Sequence, residues 1–262
     1  MSSSDLLGLE RQEKIAQLLE QRGTLTVAQI SVIFEISEAT VRRDLAALAN
    51  RNLIRRVHGG AMVNHPVATS EAPILHRQKQ NADVKQRIGK AAAELIQDGE
   101  TVLLIGGSTG LAVARELVHH VNLTIVTDSL LVANELLQQG VHRVIILGGL
   151  VDPNERAVRG TLSRMILSEL QVDKVVIGTK AISIERGLSS ESVEEAELFR
   201  NFIKAGHSVI VVTDSTKFRQ SALARVTGID QVDVLVTDEL ISQNDRQQLH
   251  EAGVIVKIAD ES

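Results

Sequence analysis

The chain has 262 residues, of which 44% are hydrophobic and only 2% are aromatic, with a formal net charge of −5. That length and composition predict a soluble globular protein of one or two domains with an aliphatic core. The absence of cysteine excludes disulfides, thiolate nucleophiles and cysteine metal sites. No signal peptide or membrane span is recognisable, so we expect a cytoplasmic protein.

Charge is unevenly distributed along the chain. Residues 1–60 carry a net charge of +1 and residues 61–262 carry −6. This is not the strong basic excess of a non-specific nucleic-acid binder. It fits a small, nearly neutral module with a local basic surface, attached to an acidic body.

The first fifty residues predict three short helices. Leu9–Gln21 has helical apolar spacing and is followed by Gly23, a residue typical of the position after a helix. Thr26–Gln29 forms a capping box that opens a second helix. Ser37 is a good N-cap for a third helix, since its hydroxyl can accept from a free backbone N–H group.

The third helix has one buried face and one polar face. Val41, Leu45 and Leu48 recur at helical spacing and predict the buried side. Arg42 and Arg43 lie off that side, near the start of the helix. A helix of this design fits the major groove of DNA.

A basic hairpin is predicted directly after this helix. Leu53–Ala61 has the pattern strand, glycine turn, strand, with Gly59 and Gly60 allowing the chain to reverse. Three short helices and such a wing predict a winged helix-turn-helix domain over residues 1–63. A generic three-helix bundle is the alternative.

The rest of the chain changes character twice. Residues 64–84 contain two prolines in a polar run and are predicted as a linker. The domain predicted at residues 85–262 opens with a helix at Val84–Ile96. Strands then alternate with helices, which predicts a mostly parallel sheet covered on both faces. The expected fold class is therefore α/β: an N-terminal winged helix-turn-helix domain joined to a mostly parallel, doubly covered α/β effector domain.

The predicted elements of the second domain are regular. The strands are Thr101–Ile105, Leu123–Thr127, Arg143–Leu147, Lys174–Ile177, Ser208–Thr213, Val232–Val236 and Gly253–Ile258. The helices between them are Leu111–His119, Ser129–Gln138, Leu162–Leu170, Ser192–Ala205 and Ser242–Ala252. Ligands bind at the carboxyl ends of strands in such sheets.

The strand-to-helix loops therefore supply the candidate ligand site. Ile105–Gly110 combines glycines, hydroxyls and a helix start, which suits a phosphate, although a plain glycine turn is the alternative. Asp128 and Ser129 follow the second strand, where either could simply cap the next helix. Lys180 and Lys217 follow the fourth and fifth strands and are candidate partners for an anion.

These motifs resemble a known family. The run Glu10–Ala61, with VRRDLAAL and RRVHGGA, is similar to the DNA-binding domain of DeoR-type bacterial transcriptional regulators. The second part resembles their effector domain, which has a fold like ribose-5-phosphate isomerase and senses phosphorylated sugars. The residues that carry the second resemblance are Gly107-Ser108-Thr109, Val126–Ser129, Leu147–Gly149, Gly187–Ser189, Glu195–Glu197 and Asp214–Phe218.

The chain departs from the family pattern at four positions. Ile105 replaces a usual Asp, Phe199 a usual Lys and Asp128 a common Asn, while Lys180 stands where a small or polar residue is usual. We therefore expect an altered effector pocket and infer no particular sugar from the resemblance.

The resemblance implies a repressor of a carbohydrate catabolism operon that leaves its operator when a sugar phosphate binds. The predicted partners are double-stranded operator DNA, a small-molecule effector and further copies of the chain in a homodimer or homotetramer; no membrane, cofactor, metal or catalytic residue is predicted. The predicted DNA contacts are Thr26, Ser37, Glu38, Thr40, Arg42, Arg43, Arg55, Arg56 and His58. The predicted effector residues are Gly106, Gly107, Ser108, Thr109, Gly110, Asp128, Ser129, Lys180 and Lys217.

Two other functions use the same residues. A sugar-phosphate isomerase would need a carboxylate base, for which Asp128, Glu191 and Glu194 are candidates. A transcriptional activator would need only a differently placed operator.

Overall fold

A computed structural model describes residues 8, 11–16, 18, 19, 24–50, 54–57, 59–63 and 72–259. The chain divides into two compact units, residues 1–66 and 67–262. Each unit has its own hydrophobic core. Among the described residues, no helix is long and apolar enough to cross a bilayer.

The N-terminal unit contains the three predicted helices. Residues 11–16, 18 and 19 are helical, whereas the predicted ends of this helix and Gly23 lie outside the described residues. Helix α1 spans Val27–Phe34 and helix α2 spans Glu38–Asn50. The capping box predicted at Thr26 is confirmed, because the Thr26 hydroxyl accepts from the Gln29 N–H and the Gln29 side chain accepts from the Thr26 N–H.

A three-stranded antiparallel sheet completes this unit. Strands β1 (Thr24–Thr26), β2 (Ile54–Val57) and β3 (Gly60–Val63) are ordered β1-β3-β2. The β2–β3 hairpin is the predicted wing, but its two glycines have different roles. Gly59 is in the turn at φ +78°, whereas Gly60 lies in β3, where a Cβ atom would come within 2.2 Å of the Leu25 carbonyl oxygen.

The second unit is built on a seven-stranded parallel sheet. Its order is β15-β14-β12-β9-β4-β5-β6. The strands are β4 (Thr101–Leu104), β5 (Thr124–Thr127), β6 (Arg143–Ile146), β9 (Val172–Gly178), β12 (Gly206–Val212), β14 (Val234–Thr237) and β15 (Ile255–Ile258). These are the seven predicted strands, with ends that differ by a few residues.

Helices cover both faces of this sheet. They are α3 (Ile74–Arg77), α4 (Ala82–Ala93), α5 (Ser108–Glu116), α6 (Leu130–Gln139), α7 (Thr161–Leu167), α8 (Val193–Ala205) and α9 (Gln243–Glu251). Successive strand residues contribute to opposite cores: Leu103 packs in the core with Phe202 of α8, and Val102 and Leu104 pack in the core with Ile88 of α4. The predicted double coverage is confirmed.

Several short elements were not predicted from the sequence. Two strands, β7 (Leu150–Asp152) and β8 (Ala157–Arg159), form an antiparallel hairpin. Three more, β10 (Ala181–Ser183), β11 (Gly187–Ser190) and β13 (Ala224–Thr227), form a separate antiparallel sheet.

The predicted linker is wrong in its second half. Residues 64–71 lie outside the described residues, but α3 and the first turn of α4 occupy positions that were predicted to be linker. The polar, weakly periodic sequence does not predict these helical residues, because α3 is only one turn long. Helix α4 begins two residues before the predicted start at Val84.

Candidate functional site

Helix α2 is capped and anchored as predicted. The Ser37 hydroxyl accepts from the Thr40 N–H at 3.2 Å and lies 2.9 Å from the Thr40 hydroxyl. Val41, Leu45 and Leu48 are fully buried on the opposite side. The first turn of α2 therefore presents polar side chains while its apolar side is fixed in the core.

The two arginines of α2 differ in their partners. Arg42 donates to Glu38 at 2.6 Å, one helical turn earlier, and both side chains are about half exposed or more. Arg43 is exposed, and no ion-pair partner for it is found among the described residues. Of the two, Arg43 has the guanidinium more available to a DNA phosphate or base.

A buried carboxylate links α2 to the first helical segment of the unit, which contains Arg11 and Gln12. Asp44 is 4% exposed and accepts from Arg11 Nε at 2.7 Å and from Gln12 Nε2 at 3.1 Å. The hydrogen bond to Asp44 raises the pKa of Arg11, against a smaller opposing effect of burial. This pair fixes how α2 lies on the unit, so Asp44 sets the orientation of the outward arginines.

The remaining predicted DNA contacts lie at the start of α1 and in the wing. Thr26 is exposed at the N-terminus of α1. Arg55 and Arg56 are adjacent in β2, opposite Met62 and Ala61 of β3, and only their backbone is described. His58 lies outside the described residues.

The second unit contains a cavity of about 490 Å³ at the carboxyl ends of its central strands. Residues that follow β4, β5, β9 and β12 line it, which is where parallel sheets bind ligands. Eight of the nine predicted effector residues are in its wall: Gly106, Gly107, Ser108, Thr109, Gly110, Asp128, Lys180 and Lys217.

The glycine-rich loop 105–110 forms one end of this wall. Gly107 is in the left-handed region at φ +104°, and a Cβ atom on Gly110 would come within 2.1 Å of the Ile105 carbonyl oxygen. No side chain caps α5. The first N–H groups of a helix lack intrahelical acceptors, so an uncapped start that faces a cavity favours an anion.

Asp128 supports that loop from behind. It is fully buried, and its Oδ1 accepts the Gly106 N–H at 2.8 Å while its Oδ2 accepts from Arg159 Nη1 at 2.5 Å. Asp128 is therefore not the cap of the next helix, which was one alternative from sequence. Ser129 is that cap: its hydroxyl accepts from the Val132 N–H at 3.3 Å, and it is absent from the cavity wall.

Arg159 is a wall residue that sequence reasoning missed. It ends β8, its side chain is 24% exposed, and its Nη2 lies 3.7 Å from Glu195 Oε1. Burial lowers the pKa of Arg159, but the charges of Asp128, Glu195 and Glu155 outweigh burial and raise it above its ordinary value. The sequence did contain a signal for Arg159: a glycine and then a helix follow it directly, and glycines also directly precede the helix that begins in the loop at 105–110.

The two predicted lysines have different surroundings. The Lys180 side chain is 8% exposed and forms an ion pair with Glu191, which lies two residues before α8. Lys217 ends a short 3-10 helix, Ser215–Lys217, whose N-cap is Asp214. Both lie on the wall formed after β9 and β12.

Two departures from the family pattern make part of the wall apolar. Ile105 follows β4, and Phe199 of α8 packs against Phe202 with ring centroids 5.8 Å apart. Neither residue can pair with a charge on a ligand.

Residues from the predicted linker also reach the wall. Arg77 of α3 forms an ion pair with Glu155, and Ile74 N–H donates to the Asn154 carbonyl at 3.0 Å. Lys85 is 7% exposed and donates to the carbonyls of Arg77 and Gln80 at 2.8 and 2.6 Å. Arg77 was missed because its segment was interpreted as a linker, and Lys85 was missed because it lies within the helix predicted at Val84–Ile96 rather than in a strand-to-helix loop.

Across the described ranges, no group of three or more His, Asp or Glu side chains is arranged to hold a metal ion.

A winged helix-turn-helix unit in one chain with an α/β unit that holds a ligand-sized cavity defines a ligand-responsive transcriptional regulator. Residues 11–67 match the family described as the DeoR-like helix-turn-helix domain, and residues 80–239 match the DeoR C terminal sensor domain. The chain belongs to the DeoR family of transcriptional regulators.

Relatives over most of the chain carry matching names. The transcriptional repressor AccR of Agrobacterium fabrum is 36% identical, over 87% of this chain and 89% of that protein. The glycerol-3-phosphate regulon repressor of Escherichia coli is 32% identical, over 87% of this chain and 90% of that protein.

A solved structure resembles part of the chain. Ribose 5-phosphate isomerase A of Methanocaldococcus jannaschii is 18% identical, over 53% of this chain and 55% of that one, with a TM-score of 0.40. A likeness this low carries no argument about activity.

Proposed function

We propose that this DeoR-family regulator represses a carbohydrate catabolism operon and leaves its operator when a sugar phosphate binds the cavity of the second unit. The observation that carries the proposal is the uncapped N-terminus of α5, which faces that cavity in the same chain as a winged helix-turn-helix. A repressor of this kind acts in the cytoplasm, where its operator is.

The phosphate end of the ligand is expected at Ser108, Thr109 and Lys217. The wall carries six Lys or Arg and seven Asp or Glu side chains, so it does not attract anions through its overall charge. Capture must therefore be local, through helix N–H groups, hydroxyls and a nearby ammonium group. The mixed donors and acceptors farther along the wall suit the hydroxyl groups of a carbohydrate.

The same wall argues against isomerase chemistry. A catalytic base needs a carboxylate that can reach substrate. Of the three candidate bases, Asp128 is fully buried and already accepts from Gly106 and Arg159, and Glu191 is paired with Lys180. Glu194 is exposed on the wall and is the one candidate of the three that remains accessible to a substrate. We propose a sensor rather than an enzyme. Incubation with pentose and hexose phosphates tests this directly, because ketose formation would overturn it.

Operator binding is expected to need at least two copies of the chain. The N-terminal unit is barely basic, and helix-turn-helix proteins commonly read two half-sites with two recognition helices. We propose a homodimer or homotetramer in which α2 reads the major groove and Arg55, Arg56 and His58 of the wing hold the backbone or reach the minor groove. Affinity should then fall steeply with salt.

The α3–α4 corner is the proposed output of the sensor. It directly follows the segment that leaves the DNA-binding unit, and it places Arg77 and Lys85 on the cavity wall. A ligand that binds differently to two positions of this corner would shift the equilibrium between DNA-binding and released forms. A ligand with equal affinity for both would change nothing.

A ligand screen tests the proposal. Full-length protein is tested for thermal stabilisation by sugar phosphates and their free sugars, and hits are tested for release of the promoter DNA upstream of the protein's own gene. We expect a phosphorylated hit that releases DNA, with the response blunted in Ser108→Ala and Lys217→Ala. Lys204→Ala, exposed on α8 and outside the wall, is the matched control.

The outcomes separate the parts of the proposal. A hit whose effect is unchanged in both variants would place the site elsewhere. Stabilisation by free sugars alone would remove the phosphate requirement. Reporter expression in a deletion strain tests the sign of regulation: we expect target transcription to rise, and a fall would make the protein an activator.

A further inference from the structure

The outer edge of strand β6 is an unusual feature of the second unit. β6 ends the seven-stranded sheet, and among the described residues no strand pairs with its outer side. Strand β6 begins with the exposed Arg143, and the run that follows, residues 144–151 (VIILGGLV), contains neither a charged residue nor a proline. Exposed edges of this kind promote association and are normally covered or blunted by charge.

The backbone of β6 is able to extend the sheet. Arg143 N–H and Leu147 N–H donate inward, to Leu123 and Thr127 on the β5 side. Because N–H direction alternates along a strand, the N–H groups of Val144 and Ile146 point to the open side. Two donors are thus available for another strand.

Exposed apolar side chains continue from this edge onto β7 and α7. Gly148, between β6 and β7, faces Leu162 and Ile166 of α7, which brings the three elements together. The exposed members, with their exposed fractions, are Ile145 (40%), Ile146 (44%), Leu150 (82%), Val151 (53%), Leu162 (58%) and Met165 (61%). We call these six residues the β6 patch.

The opposite edge of the sheet is built differently. Strand β15 also has an exposed apolar residue, Ile255, at 65%. However, β15 carries Lys257, which pairs with Glu94 at 2.7 Å. A lysine on an edge strand discourages pairing with another strand. On β6 the one charged residue, Arg143, is the first residue of the strand, so the charge lies at the end of that edge rather than within it.

We propose that the β6 patch is the surface through which two copies of this chain associate, with β6 pairing antiparallel to β6 of the second copy. An antiparallel pair of identical strands has two-fold symmetry, so one surface serves both copies. The six side chains expose several hundred Å² of apolar surface per copy, which is the scale of the core of a standard interface.

A second copy fits the patch better than an unrelated partner. The patch has no charged group that would select a charged partner, whereas a self-complementary edge needs none. The assignment of a second copy to this patch rests on the proposed operator binding, which itself requires two copies of the chain. Dimer formation is measured without DNA, so it can fail independently of repression.

The test is the self-association of full-length protein, measured by sedimentation equilibrium over a range of concentrations. Leu150→Glu and Met165→Glu put a charge on an already exposed position, and Ile146→Pro removes one outward N–H group. We expect each to weaken dimerisation by at least about tenfold, because an unpaired charge or a lost donor is then buried at the interface.

Matched substitutions on other surfaces are the controls. Leu240→Glu and Ile255→Glu alter residues that are 75% and 65% exposed outside the β6 patch, and they should leave dimerisation unchanged. Ile146→Val keeps the N–H group and should also dimerise normally. Circular dichroism melting checks that each variant folds.

Three results would overturn the proposal. These are a wild-type chain that stays monomeric at all concentrations, patch variants that dimerise like wild type, or equal weakening by the control variants. If the patch variants fold and dimerise normally, the patch is covered by another part of the same chain or by a different partner.

Discussion

Asp128 and Arg159 form an ion pair of 2.5 Å in the wall of the cavity, and the other oxygen of Asp128 holds the Gly106 N–H at 2.8 Å. One fully buried carboxylate thus connects the glycine-rich loop with the end of β8. The two residues are 31 positions apart in the chain, and no local sequence pattern links them. The loop that is proposed to bind phosphate therefore depends on a partner supplied by a distant hairpin.

Removing Asp128 should destabilise the second unit. Asp128→Ala removes the nearest carboxylate of Arg159, leaving the more distant Glu195 and Glu155, and leaves the Gly106 N–H without its acceptor. The substitution should cost about 3 kcal/mol of unfolding free energy. Asp128→Asn keeps an acceptor for Gly106 and should cost about half as much. Urea unfolding of both variants measures this, and equal stability of Ala and wild type would contradict the bracing role.

Gly110 is expected to tolerate no side chain. A Cβ atom would meet the Ile105 carbonyl oxygen at 2.1 Å, and this obstructing atom belongs to the backbone, which cannot move aside as a flexible side chain could. Gly110→Ala should cost about 3 kcal/mol and abolish the response to effector.

Gly140 provides the comparison for that substitution. It has φ +70° at the end of α6, with nothing within 4 Å of its Cβ position. Gly140→Ala should cost only about 1 kcal/mol and leave the effector response intact. Thermal unfolding and DNA release are measured for both variants. Similar losses in the two would mean that the close approach at Gly110 is relieved.

Arg43 should contribute more to operator binding than Arg42. The Arg42 side chain is already paired with Glu38, whereas Arg43 is exposed near the start of α2. Arg43→Ala should cost about 1–3 kcal/mol of binding free energy, Arg42→Ala less, and the double variant should abolish binding without loss of the fold. Fluorescence anisotropy with the promoter DNA measures each affinity.

Arg115, an exposed arginine in the second unit, is the control for this comparison. Arg115 of α5 is 53% exposed in the second unit, and Arg115→Ala should bind DNA as wild type does. Unchanged binding by the Arg42/Arg43 double variant would remove α2 as the recognition helix.

Asp44 should matter for stability, in contrast to Glu38 on the same helix. Asp44 is 4% exposed and holds both Arg11 and Gln12, so Asp44→Ala should cost about 2–4 kcal/mol. Glu38→Ala breaks a pair that is half in solvent and should cost less than about 0.5 kcal/mol. Thermal unfolding compares the two, and equal effects would mean that Asp44 does not fix α2.

The larger elements were predictable from sequence because each carries its own pattern. The seven parallel strands are aliphatic runs, and the capping residues Thr26, Ser37 and Ser129 act within three residues of themselves. Short antiparallel strands such as β11, with the sequence GLSS, have no such pattern. They form because β10 and β13 are brought alongside by the rest of the fold.

The site was only half predictable for the same reason. The residues that follow predicted strands, such as Ser108 and Lys217, are in the cavity wall. Arg159 and Arg77 were missed because their elements were not recognised, and Lys85 was missed because its recognised helix was not expected to border the site. A partner relationship such as that of Lys180 with Glu191 depends on two loops meeting above the sheet, which no sequence spacing reports.

His142 should make the stability of the second unit depend on pH. Its Nε2 lies 2.9 Å from the Leu117 carbonyl oxygen, and burial, aided by the charge of His120, lowers the pKa of His142 below 6.5 despite that carbonyl and Asp98. Below about pH 6.5 the unfolded chain therefore takes up a proton that the folded chain resists, so the free energy of unfolding falls as the pH decreases. We expect His142→Gln to lose less stability than wild type between pH 7 and pH 5 in urea unfolding. His207→Gln, on an exposed histidine, is the control, and a loss in His142→Gln as large as that of wild type would show that His142 is not the group responsible.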